Sequence, residues 1–204
     1  MIKTVLFDFD GVLTIDTTGS TSITNYIANN CGISLELVKS SYSKFNEKLL
    51  LGEKTHQEIW EDFCNLTGQN IDFNILLDSF RFTPLDDKMI SLVQELKKKY
   101  YIGMVTDNKY DRISTILDYR GLNKYFDVVA VSACLHSGKD NRRIFDYVLK
   151  SLNVSANECV FIDNSEKNLE IPGQMGMSTI LFNDENRNFE LFEKELEKIL
   201  CKVN

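Results

Sequence analysis

Five short, mainly apolar runs punctuate the chain, and each stops at a small polar cluster. Residues 4–7 lead into Asp8-Phe9-Asp10-Gly11, residues 101–105 into Thr106-Asp107-Asn108, and residues 128–131 into Ser132. Residues 159–162 lead into Asp163-Asn164, and residues 179–182 into Asn183-Asp184. Apolar runs of this length, closed by turn-forming residues, predict buried strands. Helical periodicity fills the gaps at residues 86–96, 111–119, 141–152 and 185–201, and more weakly at 165–175, where Pro172-Gly173 sits near the end. Strands alternating with helices predict right-handed βαβ units and a Rossmann-like, three-layer α/β fold on a parallel sheet. In such a sheet ligands bind beyond the carboxyl ends of the strands, so the polar clusters converge on one edge.

Residues 16–82 break the alternation. Four helical patterns follow one another there, at 22–30, 35–51, 55–66 and 71–80. Gly32 and Gly52 fall at C-cap positions, and Ser34 and Thr55 at N-cap positions, with Glu58 three residues after Thr55. The pattern divides the chain into an α/β core of residues 1–15 and 83–204 and an inserted all-helical cap of residues 16–82. Pro84 marks the return to the core. The aromatics Tyr26, Tyr42, Phe45, Trp60 and Phe63 fall at helical spacing that assigns most of them to the cap's interior.

Charge and cysteine content narrow the function. Against 30 acidic residues stand 23 basic ones, a formal net charge of −7, which argues against a nucleic-acid partner. No stretch is apolar enough to span a membrane, and acidic residues enter the N-terminus too early for a signal peptide. Five cysteines without a CxxC pair read as reduced thiols of a cytoplasmic protein. The two histidines, His56 and His136, join no zinc-type cluster. No apolar stripe is left over for a partner, so a monomer is expected.

The remaining chemistry belongs to carboxylates, hydroxyls and lysine. Asp8 and Asp10 end the first strand two residues apart, and two carboxylates so close ionise together cheaply only around a cation. With oxygen ligands alone on offer, Mg²⁺ is the expected ion. Thr106 and Asn108 offer a hydroxyl, an amide and helix-start N–H groups to an anion. Lys139 follows the third core strand after a loop of residues 132–138. Asp163 and Asn164 close the fourth. Each cluster alone also reads as a turn or helix cap. Their recurrence after four strands, with three aspartates balanced by Mg²⁺ and Lys139, points to one anion-binding site.

DFDGVLT at residues 8–14, VTDN at 105–108, Lys139 in SGKDNRRIF and FIDNSEKN at 161–168 resemble the four motifs of the haloacid dehalogenase-like hydrolase superfamily. The helical insertion sits where that family carries a small C1 cap. The resemblance implies that Asp8 is the nucleophile forming an aspartyl-phosphate, and Asp10 the general acid and then base. It implies Mg²⁺ held by the Asp8 carboxylate, the Asp10 carbonyl and Asp163. The phosphoryl oxygens would be bound by Lys139, Thr106 and the loop it opens, Asp107-Asn108. The implied activity is hydrolysis of a small phosphorylated metabolite.

There are two departures from the family pattern. Asn164 stands where many relatives carry a second acid, and Lys139-Asp140-Asn141-Arg142 lacks the prolines usual after the lysine. Arg142 and Arg143 are expected on a solvated helix face. The start of the insertion, Thr17-Thr18-Gly19-Ser20, is polar and near the catalytic loop, so contact with substrate is expected of it. A phosphomutase uses the same acids, and a protein that kept the fold without catalysis would explain Asn164. Carbon–halogen hydrolysis fits poorly with an acid at Asp10.

Overall fold

A computed structural model describes residues 1–201. Five parallel strands, β1 (Thr4–Phe7), β2 (Tyr101–Thr106), β3 (Val128–Val131), β4 (Cys159–Asp163) and β5 (Ser178–Leu181), form one sheet in the order β3-β2-β1-β4-β5. Each strand lies within one residue of its predicted bounds. β1 is central, with Phe7 beside Met104 of β2 and Ile162 of β4. That register brings the residues following β1, β2 and β4 to one edge.

The pleat sends alternate residues into two cores. Val5, Phe7, Met104 and Ile162 face α5 (Asp87–Leu96), α6 (Tyr110–Tyr119) and α10 (Phe189–Leu200). Leu6, Val105 and Phe161 face α8 (Arg142–Leu152) and α9 (Glu166–Gln174). α9 runs through Pro172, which takes part in its last turns. The segment expected as a loop, residues 132–138, instead begins with a helical turn, α7 (Ser132–Leu135), because Ser132 is tied down on both sides.

Between β1 and α5 lie four helices, α1 (Gly19–Cys31), α2 (Leu35–Leu50), α3 (His56–Thr67) and α4 (Phe73–Arg81). Thr18, Ser34, Thr55 and Asp72 cap their N-termini, and Thr55 with Glu58 closes a capping box. Gly32 is a left-handed C-cap as expected, whereas α2 is capped by Leu51 and Gly52 follows it at φ +69°. That Gly is required twice over, since a Cβ there would sit 2.0 Å from the Ala133 carbonyl oxygen. Tyr42, Trp60 and Phe63 are buried, while Tyr26 and Phe45 are only partly covered.

The four helices join the rest where the chain passes in and out, and α4 also packs on α6. Thr14 pairs antiparallel with Leu85, and Ile15 N–H donates to the Pro84 carbonyl. A further attachment is polar. Ser132 Oγ donates to the Leu50 carbonyl and His136 Nδ1 lies 2.7 Å from that of Leu51, so core side chains satisfy the exposed carbonyls that end α2. His56 on α3 is buried, with Nδ1 2.7 Å from Asp111 of α6 and Nε2 2.8 Å from the Tyr42 hydroxyl.

Candidate active site

Where the sheet edge meets α1 and α2 lies a cavity of ≈ 540 Å³. Asp8, Asp10, Thr106, Asp107 and Lys139 line it from the sheet side, and Thr17, Thr18, Gly19, Ser20 and Asn46 from the helical side. Asp8 sits where β1 ends, its N–H donating to the Ile162 carbonyl so that the ladder aims the side chain outward.

Lys139 is the electrostatic centre. Its Nζ lies 2.9 Å from Asp8 Oδ2 and 2.6 Å from Asp163 Oδ2, and it is buried with both. Burial alone would lower this ammonium, but Asp8, Asp163 and Asp107 together raise it above the ordinary lysine value. Asp163 is fully buried behind Lys139 and does not line the cavity. Its Oδ1 accepts from Ser165 N–H and its two oxygens from the Asn168 amide, which fixes its direction.

Burial, with the Asp163 and Asp10 charges added and Lys139 opposing, pushes Asp8 up to about 7. This is a site short of positive charge. Among the described residues no three acidic, Cys or His side chains converge as a ready-made metal cluster. Two carboxylates joined by carbonyl, water and substrate oxygens are an ordinary setting for Mg²⁺, and the raised Asp8 is what a divalent cation would relieve. The residues present therefore fit Mg²⁺.

Two expected anion ligands turn out otherwise. Asn108 is buried and does not line the cavity. Its Nδ2 donates to Asp10 Oδ2 at 2.7 Å, and its N–H donates to Ser132 Oγ, so the amide expected to meet an anion serves Asp10 instead. Asp107 keeps its place on the wall, but its carboxylate accepts from the Lys139 N–H at 3.0 Å and bridges two loops. Burial pushes its pKa up too, with Lys139 opposing. Thr106 Oγ1 stands at the end of β2 on the cavity wall, buried.

Asn164 Nδ2 donates to Asp184 Oδ2 at 2.6 Å, over Gly11, where a Cβ would lie 2.3 Å from that nitrogen. A carboxylate thus stands one hydrogen bond behind position 164, supplied from the loop after β5. Arg187 in the same loop donates to the Gly11 and Val12 carbonyls and pairs with Asp86, bracing the loop after β1. Arg142 and Arg143 are exposed, as expected.

The largest omission from the sequence reading is on α6. Arg112, fully buried, grips Asp10 with Nη2–Oδ1 at 2.9 Å and Nη1–Oδ2 at 3.0 Å. Lys109, buried, reaches 3.4 Å from Ser20 Oγ and sits over the Tyr42 ring. No carboxylate lies within ion-pair distance of it among the described residues. The available signal was helical spacing, since Arg112 lies four before Ile116 on the buried face of α6.

The geometry agrees with what comparison finds. A family model described as haloacid dehalogenase-like hydrolase matches residues 2–176. D-ribitol-5-phosphate phosphatase of Bacteroides thetaiotaomicron is 23% identical over 195 residues, covering 91% of this chain and 93% of its own. A putative phosphatase of Bacillus subtilis, YhcW, is 24% identical over 221 residues, covering 100% and 99%. A HAD family enzyme of Bacteroides thetaiotaomicron, solved in complex with magnesium and inorganic phosphate, superposes with a TM-score of 0.74 at 19% identity, covering 94% of this chain and 100% of that one. With the family motifs gathered on one sheet edge and the family model matching most of the chain, the protein belongs to the haloacid dehalogenase-like hydrolases.

Proposed function

We propose that this hydrolase is a Mg²⁺-dependent phosphatase acting on a small phosphorylated polyol or sugar. The observation that carries the reading is the line Asp8–Lys139–Asp163 running inward from the wall of a polar cavity, an arrangement that neutralises an incoming phosphoryl group and aims a carboxylate at it. Asp8 attacks phosphorus, its Oδ–P bond forming as the bond from phosphorus to the alcohol oxygen breaks, and Asp10 gives that oxygen its proton. Asp10 then takes a proton from water while the water oxygen bonds to phosphorus and the Asp8–P bond breaks. Lys139 and Thr106 hold the phosphoryl oxygens. Asp8, the Asp10 carbonyl and Asp163 would hold Mg²⁺, which supplies charge neutralisation.

Helices α1–α4 act as a cap that reads the substrate's far end. Ser20, Asn46 and Lys109 form a hydrogen-bonded chain along the cavity, with Ser20 Oγ donating to Asn46 Oδ1 at 3.0 Å. Ammonium, hydroxyl and amide groups in that order suit neighbouring alcohols, in keeping with a relative named for a ribitol phosphate.

Phosphate release from p-nitrophenyl phosphate with Mg²⁺ and with EDTA tests the class. Activity that requires the metal is expected, and activity undiminished by EDTA would overturn the reading.

Lys109 tests the substrate. Burial and Arg112 push it down to about 7, so its cost to folding is greatest at and below neutral pH and fades as pH rises toward 10.5. Lys109→Met is therefore expected to melt higher than wild type at pH 7, with the gap closing at pH 10. Its kcat/KM for D-ribitol 5-phosphate should fall about 10–100-fold, with p-nitrophenyl phosphate little changed. Steady-state kinetics on both substrates and thermal melts at the two pH values check both halves.

A further inference from the structure

The Asp10 carboxylate carries an asymmetric set of hydrogen bonds. Oδ2 accepts from Arg112 Nη1 at 3.0 Å and from Asn108 Nδ2 at 2.7 Å, while Oδ1 accepts from Arg112 Nη2 alone, at 2.9 Å. A carboxylate oxygen offers two lone pairs. Oδ2 is therefore saturated, and Oδ1 of this cavity-lining residue keeps one lone pair. Arg112 is itself immobilised. Its Nη1 also donates to Asn108 Oδ1 at 3.1 Å, and its guanidinium lies over the Phe9 ring. Gly19 at the start of α1 closes the remaining side, since a Cβ there would come within 2.6 Å of Arg112 Nη1 and 3.0 Å of Asp10 Oδ2.

Arg112 is expensive to keep. It is fully buried, and its Nε has no hydrogen-bond partner among the described residues. An orphaned buried N–H is destabilising, and a packing role alone would be filled at lower cost by an apolar residue. The cost coincides with the one residue whose orientation the proposed chemistry uses twice.

We propose that Arg112 is the positioning residue of this site: with Asn108 it occupies Oδ2 of Asp10 and leaves Oδ1 as the atom that gives its proton to the leaving oxygen and takes one from water. The proposal rests on the phosphatase reading above. Arg112 touches neither the phosphoryl group nor the leaving group, and acts only by aiming Asp10.

A leaving-group comparison separates this role from a structural one. A p-nitrophenolate departs without needing a proton, whereas an alkoxide does need one, so misaiming the acid penalises alkyl phosphates selectively. For Arg112→Ala, kcat on D-ribitol 5-phosphate is expected to fall at least about 100-fold, with less than about 10-fold loss on p-nitrophenyl phosphate and KM nearly unchanged. Added guanidinium should restore part of the lost kcat. Asp10→Asn supplies the ceiling for the selective loss.

If Arg112→Ala does not fold, Arg112→Lys decides. It retains the charge but lacks the two-pronged grip, and the same selective loss at smaller size is expected. Equal losses on both substrates, without rescue by guanidinium, would overturn the proposal while leaving the phosphatase reading intact. A wild-type enzyme inactive on both substrates would overturn that reading and this one with it.

Discussion

Asp8→Asn is expected to reduce phosphate release to background, a loss of at least about 10⁴-fold, because the amide is no nucleophile toward phosphorus. The same substitution should stabilise the metal-free protein at neutral pH. Burial raises Asp8 from 3.8 to about 7 in the folded state, so the folded form binds this proton more tightly than the unfolded chain does. Its contribution to stability is full below about pH 4 and is lost as pH rises through about 7. Asparagine does not titrate. Melts in EDTA from pH 4 to 8 should show the wild type losing stability that the variant keeps, by a few degrees at pH 8. Added Mg²⁺ should narrow the difference by stabilising the wild type. Turnover retained by Asp8→Asn would end the proposed mechanism.

Lys139→Met carries the second large effect, and it separates metal affinity from catalysis. Removing the ammonium leaves Asp8 and Asp163 facing each other in a buried site, and breaking such a pair costs about 3–5 kcal/mol. For a chain of this size that is a fall in Tm on the order of 10 °C in EDTA. The vacated charge makes the carboxylates a stronger cation site, so Mg²⁺ should bind more tightly to the variant and restore more of its Tm than it adds to the wild type. Turnover should nevertheless fall at least about 10³-fold, because a phosphoryl oxygen loses its donor. Calorimetric titration with Mg²⁺ alongside kinetics checks the opposite signs. Weaker Mg²⁺ binding together with lost activity would mean that Lys139 holds the ligand set in place rather than competing with the ion for it.

Asn164 illustrates how a local sequence motif can mislead about charge. Read alone, it removes one negative charge from the site. In the fold, Asp184 stands behind it at 2.6 Å, on a loop 20 residues further along. Asn108 shows the converse. Its type and position suited an anion, yet its amide donates to Asp10 Oδ2 at 2.7 Å, since a buried carboxylate oxygen outcompetes a solvent-filled cavity for a donor.

What the sequence determined by itself was most of what depends on near neighbours in the chain, though not the turn α7 or the Leu51 cap of α2. Five strands, the helices between them, the caps at Thr55 and Gly32 and the convergence of Asp8, Thr106, Lys139 and Asp163 follow from period, turn chemistry and the handedness of βαβ units. What only the tertiary structure decided was which charges meet. Arg112 lies 102 positions from Asp10, and Lys109 lies 89 from Ser20. An arginine in an amphipathic helix is ordinarily solvated, and its place four before Ile116 does not by itself say that it is buried. Its burial is decided by Gly19, which lets α1 close over it, and by a carboxylate that repays the desolvation of the guanidinium.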